Sequence, residues 1–169
     1  MTTPSTPARP AWLVLVLYWG SLLVSLTFPW ALLVLFEVSA HRRTATEALH
    51  YMQLHFFAPG YNFFLIGLLS AAPFAVGAVF LLFHLGWNTT LDSARYAKRL
   101  AGVAGGLLLM FGVSFWTHLS ALMYPDAQGA IIYLFLPFIL LVLLPIGYGA
   151  GRLASFLLGA IRRNDEDLA

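Results

Sequence analysis

Long apolar runs dominate the pattern of hydrophobic and polar positions along the chain. Four such runs are separated by short polar segments. A helix needs about 20 apolar residues to cross a bilayer core that is about 30 Å thick. The pattern therefore predicts an all-α integral membrane protein with four transmembrane helices. We place the spans at about 11–36, 61–87, 100–123 and 129–151.

The first run has an alternative interpretation as a signal peptide. Val38-Ser39-Ala40 resembles the small-residue motif at which signal peptidase cleaves. However, the uncharged stretch from Ala11 to Phe36 is much longer than the apolar core of a signal peptide, which has about 7–15 residues. We therefore interpret the first run as a membrane anchor.

Polar segments flank the four spans at both ends of the chain. Residues 1–10 and 164–169 are short and polar, and we predict disordered tails there. The segment from Arg152 to Arg163 is apolar except at its ends and at Ser155. It either continues the fourth helix or lies in the membrane interface.

The polar segment between the first two spans predicts a further, short helix. Thr44-Ala45-Thr46-Glu47 matches a capping box, in which the Thr and Glu side chains satisfy backbone N–H groups at a helix start. The helix then covers about 45–57 and ends before Pro59-Gly60. Its apolar stripe consists of Ala48, Leu49, Met52 and Phe56, and its polar face of Glu47, His50 and Gln53. We expect this amphipathic helix on the outer membrane surface or against a partner.

Composition supports the membrane assignment and excludes several classes of function. Apolar and aromatic residues make up 60% of the 169 residues and charged residues only 9%, which is too apolar for one soluble core of this size. Nine Lys and Arg residues are too few and too scattered to follow a nucleic-acid backbone. The chain has no cysteine, which excludes disulfides, thiolate metal sites and the thiol–quinone oxidoreductases.

The distribution of Lys and Arg predicts the orientation. Seven of them fall on one side of the four-span arrangement: Arg9, Arg95, Lys98, Arg99, Arg152, Arg162 and Arg163. Only Arg42 and Arg43 fall on the other side. Because positive residues are retained in the cytoplasm, we predict that both termini are cytoplasmic. The interfacial aromatic residues agree, with Trp12 and Trp87 at the inner boundary and Trp30, Trp116 and Tyr124 at the outer one. Short loops and this bias favour a bacterial inner membrane.

The interiors of the four spans contain no Asp, Glu, Lys or Arg at mid-depth. Charge at that depth is typical of transport and proton relay, so a lone ion-coupled transporter is disfavoured. We expect the polar side chains there to bond to helix carbonyls or neighbouring helices; they are Ser21, Ser25, Thr27, Ser70, Ser114, Thr117, His118 and Ser120. His84 and His118 lie near opposite ends of their spans, too far apart to ligate one haem iron. We predict no cofactor.

Residues of metal-ligating type concentrate in the outer loop. The candidates are His41, Glu47, His50 and His55, with Glu37 nearby. Glu47-x-x-His50 has the spacing of di-iron carboxylate helices, but those sites need a second such motif and further glutamates in a bundle core. His50 and His55 point in different directions around a helix. We therefore predict a solvated polar face with no metal centre, and no catalytic residue.

Small residues on the last two spans predict close helix packing. Gly102-x-x-x-Gly106, with Gly105 beside it, begins the third span, and small residues recur every four positions on the fourth: Gly147, Gly151, Ser155 and Gly159. Such ridges let helix backbones approach closely. They either pack within this chain's own bundle or form a seat for another membrane subunit.

Three functions are compatible with this pattern. We prefer a non-enzymatic accessory or scaffold subunit of a larger membrane complex, in contact with the lipid bilayer and with other integral membrane subunits as a hetero- or homo-oligomer. This preference rests on the short loops, the uncharged interior and the number of small-residue ridges. The second is a small oligomeric transporter or channel, whose helices are broken at Pro29, Pro73, Pro137 and Pro145. The third is a metal- or haem-binding membrane enzyme or redox subunit that uses the outer-loop candidates.

Overall fold

The computed structural model describes residues 11–59, 62–86, 93–124 and 127–167; at 11, 93, 127–130 and 162–167 it describes the backbone alone. All regular structure within these ranges is helical. The elements are α1 (Ala11–Ser39), α2 (Ala45–His55), α3 (Phe63–Leu81), a π-helical turn (Leu82–Gly86), α4 (Ser93–Met123) and α5 (Ala127–Asp167). Some residues of the sequence predictions lie outside what is described. They are the predicted tail at 1–10, residues 168–169, Trp87, and the side chains of Arg9, Arg162 and Arg163.

Four helical stretches in the described part of the chain are long and apolar enough to cross a membrane. They are Trp12–Ser39, Phe63–Gly86, Ala94–Met123 and Ile131–Ile161. The chain is therefore an all-helical, multi-pass membrane protein, as its sequence predicts. Helix α2 has 11 residues, too few to span a bilayer core.

Several helix ends differ from the predicted spans. Helix α4 begins at Ser93, although its apolar span is predicted from 100, because residues 94–99 are good helix formers that continue the helix beyond the apolar run. Helix α5 continues through Arg152 to Asp167. The backbone at 164–167 is thus helical, where the sequence predicts the start of a disordered tail. No proline follows Pro145 to stop the helix.

The prolines do not interrupt the helices that contain them. Pro29 lies inside α1, Pro73 inside α3, and Pro137 and Pro145 inside α5. Membrane helices tolerate proline where neighbouring helices satisfy the freed backbone groups. The broken helices expected for the transporter hypothesis are therefore not formed at these positions.

The spanning helices pack as two pairs. Helix α4 makes its most extensive contacts with α5, and helix α1 makes its most extensive contacts with α3. Contacts between α3 and α5 join the two pairs. The largest fully buried apolar side chains are Leu33, Phe74, Leu81, Met110, Leu136 and Leu140. Because lipid is as apolar as these side chains, close packing rather than the hydrophobic effect holds such a bundle together.

Helix α2 connects α1 to α3 at one end of the bundle. The predicted capping box is formed, since Thr44 accepts from the Glu47 N–H and Glu47 accepts from the Thr44 N–H. Ala48 is fully buried, and Met52 and Phe56 pack against the core. Leu49, the fourth member of the predicted stripe, is 46% exposed. We refer to this end of the bundle as the α2 end.

Candidate functional site

The glycines of the predicted ridges lie between α4 and α5. A Cβ atom on Gly147 would lie 2.6 Å from the Gly105 carbonyl oxygen and 2.8 Å from the Gly106 Cα. A Cβ on Gly151 would meet the Ala101 carbonyl, and one on Gly102 would lie 2.6 Å from the Tyr148 ring. The two backbones approach so closely that only glycine fits.

This placement separates the small-residue ridge into two parts. Five of its residues are taken up by packing within this chain: Gly102, Gly105, Gly106, Gly147 and Gly151. The rest of the ridge extends past this interface: Ser155 is half-buried, and a Cβ placed on Gly159 would meet no atom of another helix within 4 Å among the described residues. The five packed glycines therefore do not form a surface for a partner subunit.

His118 is the main polar residue of the bundle interior. Its Nδ1–H donates to the Ser114 carbonyl over 2.7 Å, which leaves Nε2 of the neutral ring to accept from the Ser70 hydroxyl over 3.1 Å. The ring also packs against Phe28 of α1 and Tyr133 of α5, with centroids 5.8 and 5.1 Å apart. His118 therefore contacts all three other spanning helices.

The Ser70–His118 pair resembles a nucleophile and its base in distance, but its surroundings favour a structural role. Both residues are only 2% exposed, which leaves no room for a substrate at the Ser70 hydroxyl. The pair joins α3 to α4, two helices with little other mutual contact. The sequence indicates both residues but not their pairing. The available signal is their depth, since Ser70 lies seven residues after the start of α3 and His118 five residues before the end of α4.

His84 lies at the opposite end of the bundle from His118. Its Nε2 shares a hydrogen bond of 2.5 Å with the Tyr148 hydroxyl of α5. Along α3, His84 is 14 positions from Ser70, which corresponds to about 20 Å at 1.5 Å per residue. The two histidines thus bind different partners at different depths.

Glu37 is a buried carboxylate at the end of α1, although its position in the sequence suggests a polar loop residue. It is 4% exposed. Its Oε2 accepts from His41 Nδ1 over 2.9 Å and from the Arg43 guanidinium over 3.0 Å. Arg43 also lies over the Tyr51 ring, 4.5 Å from its centroid. The ion pair fixes the connection between α1 and α2.

The other candidate metal ligands are engaged in separate local contacts. The Glu47 carboxylate accepts from the Thr44 N–H and hydroxyl over 2.8 and 2.9 Å, and these bonds lower the pKa of Glu47. The His55 Nδ1–H donates to the Tyr51 carbonyl over 2.9 Å.

A shallow pocket of about 480 Å³ brings some of these candidates together; it is lined by His41, Arg42, Arg43, Glu47, His50, Tyr51 and Leu54. His55 does not line it. Within the described ranges, no group of three or more His, Asp or Glu side chains is arranged to hold a metal ion. The pocket is therefore a mixed polar surface at the α2 end.

The final turns of the α5 apolar stretch form an uncovered apolar segment. Its large side chains are all more than half exposed: Leu153, Phe156, Leu157, Leu158 and Ile161. We call residues 153–161 the projecting segment. At about 100° per residue these side chains cover roughly 200° of the helix circumference. Ser155 and Gly159 lie in the remaining arc.

Comparison of the chain with protein-family models, curated proteins and solved structures finds no match.

Proposed function

We propose that the chain is a small, non-enzymatic accessory or scaffold subunit of a larger membrane complex, which it contacts through the projecting segment. The observation that carries this proposal is the exposure of the large apolar side chains of that segment. A helix without a polar face is normally buried in a protein or in a membrane. Where such a segment leaves the membrane, another protein is the cover that suits it.

The length of α5 supports this interpretation. Its 41 residues correspond to about 61 Å, twice the thickness of a bilayer core. Arg99 and Arg152 mark one membrane boundary, because Arg152 packs beside Gly102, three residues after Arg99. The projecting segment then extends about 13 Å beyond that boundary.

Outside the hydrocarbon core of the bilayer, the apolar side chains of the projecting segment must be shielded from water. Exposure of its five large apolar side chains to water would cost about 1.5–3 kcal/mol of free energy each, or roughly 7–15 kcal/mol together. A helix lying flat on the membrane needs a polar face toward water. Ser155 is the one polar residue in 153–161, so this segment has no such face. An apolar helical surface on another membrane subunit fits it better.

The hydrogen-bonded interior favours a scaffold over a transporter. The hydroxyls of Ser21, Ser25 and Thr27 donate to carbonyls of their own helix. Ser70 is bound to His118. Among the described residues, satisfied polar groups and continuous helices are typical of a packed bundle rather than of a solute path. A liposome flux assay tests this point, and solute-selective flux would favour the transporter instead.

We further propose that both termini are cytoplasmic and that the membrane is a bacterial inner membrane. Four crossings would put the two chain ends on the same side of the membrane. The excess of Lys and Arg on that side supports a cytoplasmic location. Trp116 and Tyr124 near the α2 end are 65% and 72% exposed, as expected of interfacial aromatic residues. Cysteine accessibility at introduced sites in the α2 pocket and in the projecting segment tests the orientation.

Purification in mild detergent with two matched variants tests the scaffold proposal. Phe156 in the projecting segment is 61% exposed, and Phe138 in the membrane part of the same helix is 64% exposed. We expect a membrane partner to co-purify at fixed stoichiometry with the wild type and with Phe138→Ala. Phe156→Ala should reduce its recovery about tenfold, because truncation of a buried aromatic anchor typically costs more than 1 kcal/mol.

Two outcomes would contradict the proposal. One is a monodisperse monomer without any co-purifying membrane protein. The other is a partner whose recovery is equal with Phe156→Ala and Phe138→Ala, since that partner would not use the projecting segment.

A further inference from the structure

The π-helical turn at Leu82–Gly86 lies where α3 meets the first residues of α4. Turns of this kind replace the regular hydrogen-bonding pattern of an α-helix and are common at functional sites. Here the His84 carbonyl accepts a hydrogen bond from the Arg99 guanidinium over 3.2 Å. The turn thereby holds a cationic group of α4 against α3.

A second guanidinium lies close to the tyrosine that binds the same histidine. The His84 ring is bonded to the Tyr148 hydroxyl, and the Arg152 guanidinium carbon is 5.9 Å from the centroid of the Tyr148 ring. Arg152 and Tyr148 both pack at Gly102, where the missing Cβ would lie 2.9 Å from the Arg152 Cγ. Arg99 and Arg152 therefore flank the His84–Tyr148 pair, and α3, α4 and α5 each contribute to the cluster.

The charge of these two guanidinium groups is not balanced within the described part of the chain. The ion pairs found there involve Glu37, which lies at the α2 end. Arg99 uses one of its five N–H groups on the His84 carbonyl. The remaining donors of the two arginines have the number and planar geometry that suit a phosphate group.

The surface beside the cluster is apolar. Val76, Val79 and Phe80 of α3 and Phe83 of the π-helical turn are 37–57% exposed. Phe80 also stacks on the His84 ring with centroids 5.0 Å apart. A molecule with a phosphate at the arginines would thus have an apolar surface next to it on the membrane side. A lipid has this combination, whereas free phosphate gains nothing from the apolar surface.

We propose that Arg99 and Arg152, with the His84–Tyr148 pair between them, bind the phosphate of an anionic phospholipid headgroup. The acyl chains lie along the exposed α3 surface. Basic clusters between membrane helices bind anionic headgroups in this way. The site does not involve the projecting segment, so it is independent of the proposed scaffold function.

Lipid binding to the purified full-length chain tests the proposal. Native mass spectrometry in a neutral detergent measures binding of phosphatidylglycerol, with phosphatidylcholine as the zwitterionic comparison. The two test variants are Arg99→Gln and Arg152→Gln. Arg95→Gln and Lys98→Gln are matched controls, because both residues are exposed on the same end of α4.

We expect saturable binding of phosphatidylglycerol to the wild type and weaker binding of phosphatidylcholine. Each test variant should weaken phosphatidylglycerol binding about tenfold, which corresponds to the loss of one charge-assisted hydrogen-bonding group. The two control variants should change it less than about twofold, because exposed charges contribute little.

Three results would overturn the proposal. The first is equal weakening by test and control variants, which would indicate diffuse charge attraction. The second is equally tight binding of phosphatidylcholine. The third is displacement of phosphatidylglycerol by an equal concentration of inorganic phosphate, which would indicate a site for free phosphate. Because Arg99→Gln also removes the bond to the His84 carbonyl, Arg99→Lys serves as a second variant that retains the charge. It should bind more tightly than Arg99→Gln.

Discussion

Replacement of Gly147 by alanine should separate α4 from α5 and destabilise the bundle. The added methyl group would lie 2.6 Å from the Gly105 carbonyl oxygen and 2.8 Å from the Gly106 Cα. Ordinary contacts of a Cβ atom begin at 3.4 Å, so the helices must move apart by about 0.8 Å at this point. Both obstacles are backbone atoms, which cannot rotate away.

The expected magnitude follows from the contacts that this movement weakens. A gap of about 0.5–1 Å forfeits a quarter to a half of the dispersion attraction between facing atoms. Overpacking of a well-packed site costs about 1–3 kcal/mol, and the α4–α5 interface is the most extensive in the bundle. We therefore expect Gly147→Ala to lower the free energy of unfolding by about 2 kcal/mol relative to a control.

Gly149→Ala is that control, because a Cβ at Gly149 has no neighbouring atom within 4 Å. Both variants make the same change two positions apart in one helix, so the gain of about 1 kcal/mol in helix propensity cancels between them. Unfolding of the detergent-solubilised chain by a denaturing detergent, followed by circular dichroism, gives the two stabilities. Equal stability of the two variants would refute the close approach of the helices.

Three further outcomes follow from the polar contacts. Ser70→Ala should destabilise the fold by about 1 kcal/mol, the usual value of a hydrogen bond between membrane helices. If Ser70→Ala causes the same loss of stability in a His118→Ala background, the two side chains do not interact. Glu37→Gln should lower the free energy of unfolding by about 1–3 kcal/mol in the same assay, because it removes a buried charge from its ion pair. An unchanged stability would show that the ion pair is not formed. The pKa of Glu47 is lowered in the fold, so its capping contribution is present above the unfolded pKa and is lost as the pH falls through the folded one. The protection factors of the α2 amides, which correct for the intrinsic pH dependence of exchange, should then fall, and Thr44→Ala should remove this effect.

The membrane spans and the start of α2 could be predicted from the sequence because their causes are local. An apolar run long enough to cross a bilayer has few alternatives to a helix. The Thr44 capping box also acts within four residues. By contrast, helix ends that lie in polar sequence, such as the start of α4 at Ser93, are not marked by hydrophobicity.

The side-chain partners could not be predicted, because they depend on how the helices pack. The sequence identifies the glycines of α4 and α5 as packing residues. It does not show whether they pack within this chain or against another subunit. The hydrogen bond between His118 and Ser70 joins positions 48 residues apart. The two residues meet only because the packed bundle sets the relative positions of α3 and α4. Glu37 appears in the sequence as a loop residue, and its burial depends on Arg43 turning back toward α1.

Site-specific photocrosslinking in native membranes tests the scaffold proposal most directly. A photoreactive residue is introduced at Leu157 in the projecting segment or at Val142 in the membrane part of α5, which are 51% and 63% exposed. We predict that the residue at 157 crosslinks to one other membrane protein and that the residue at 142 does not. Crosslinks from 157 to lipid alone, or only to a second copy of this chain, would contradict the proposal.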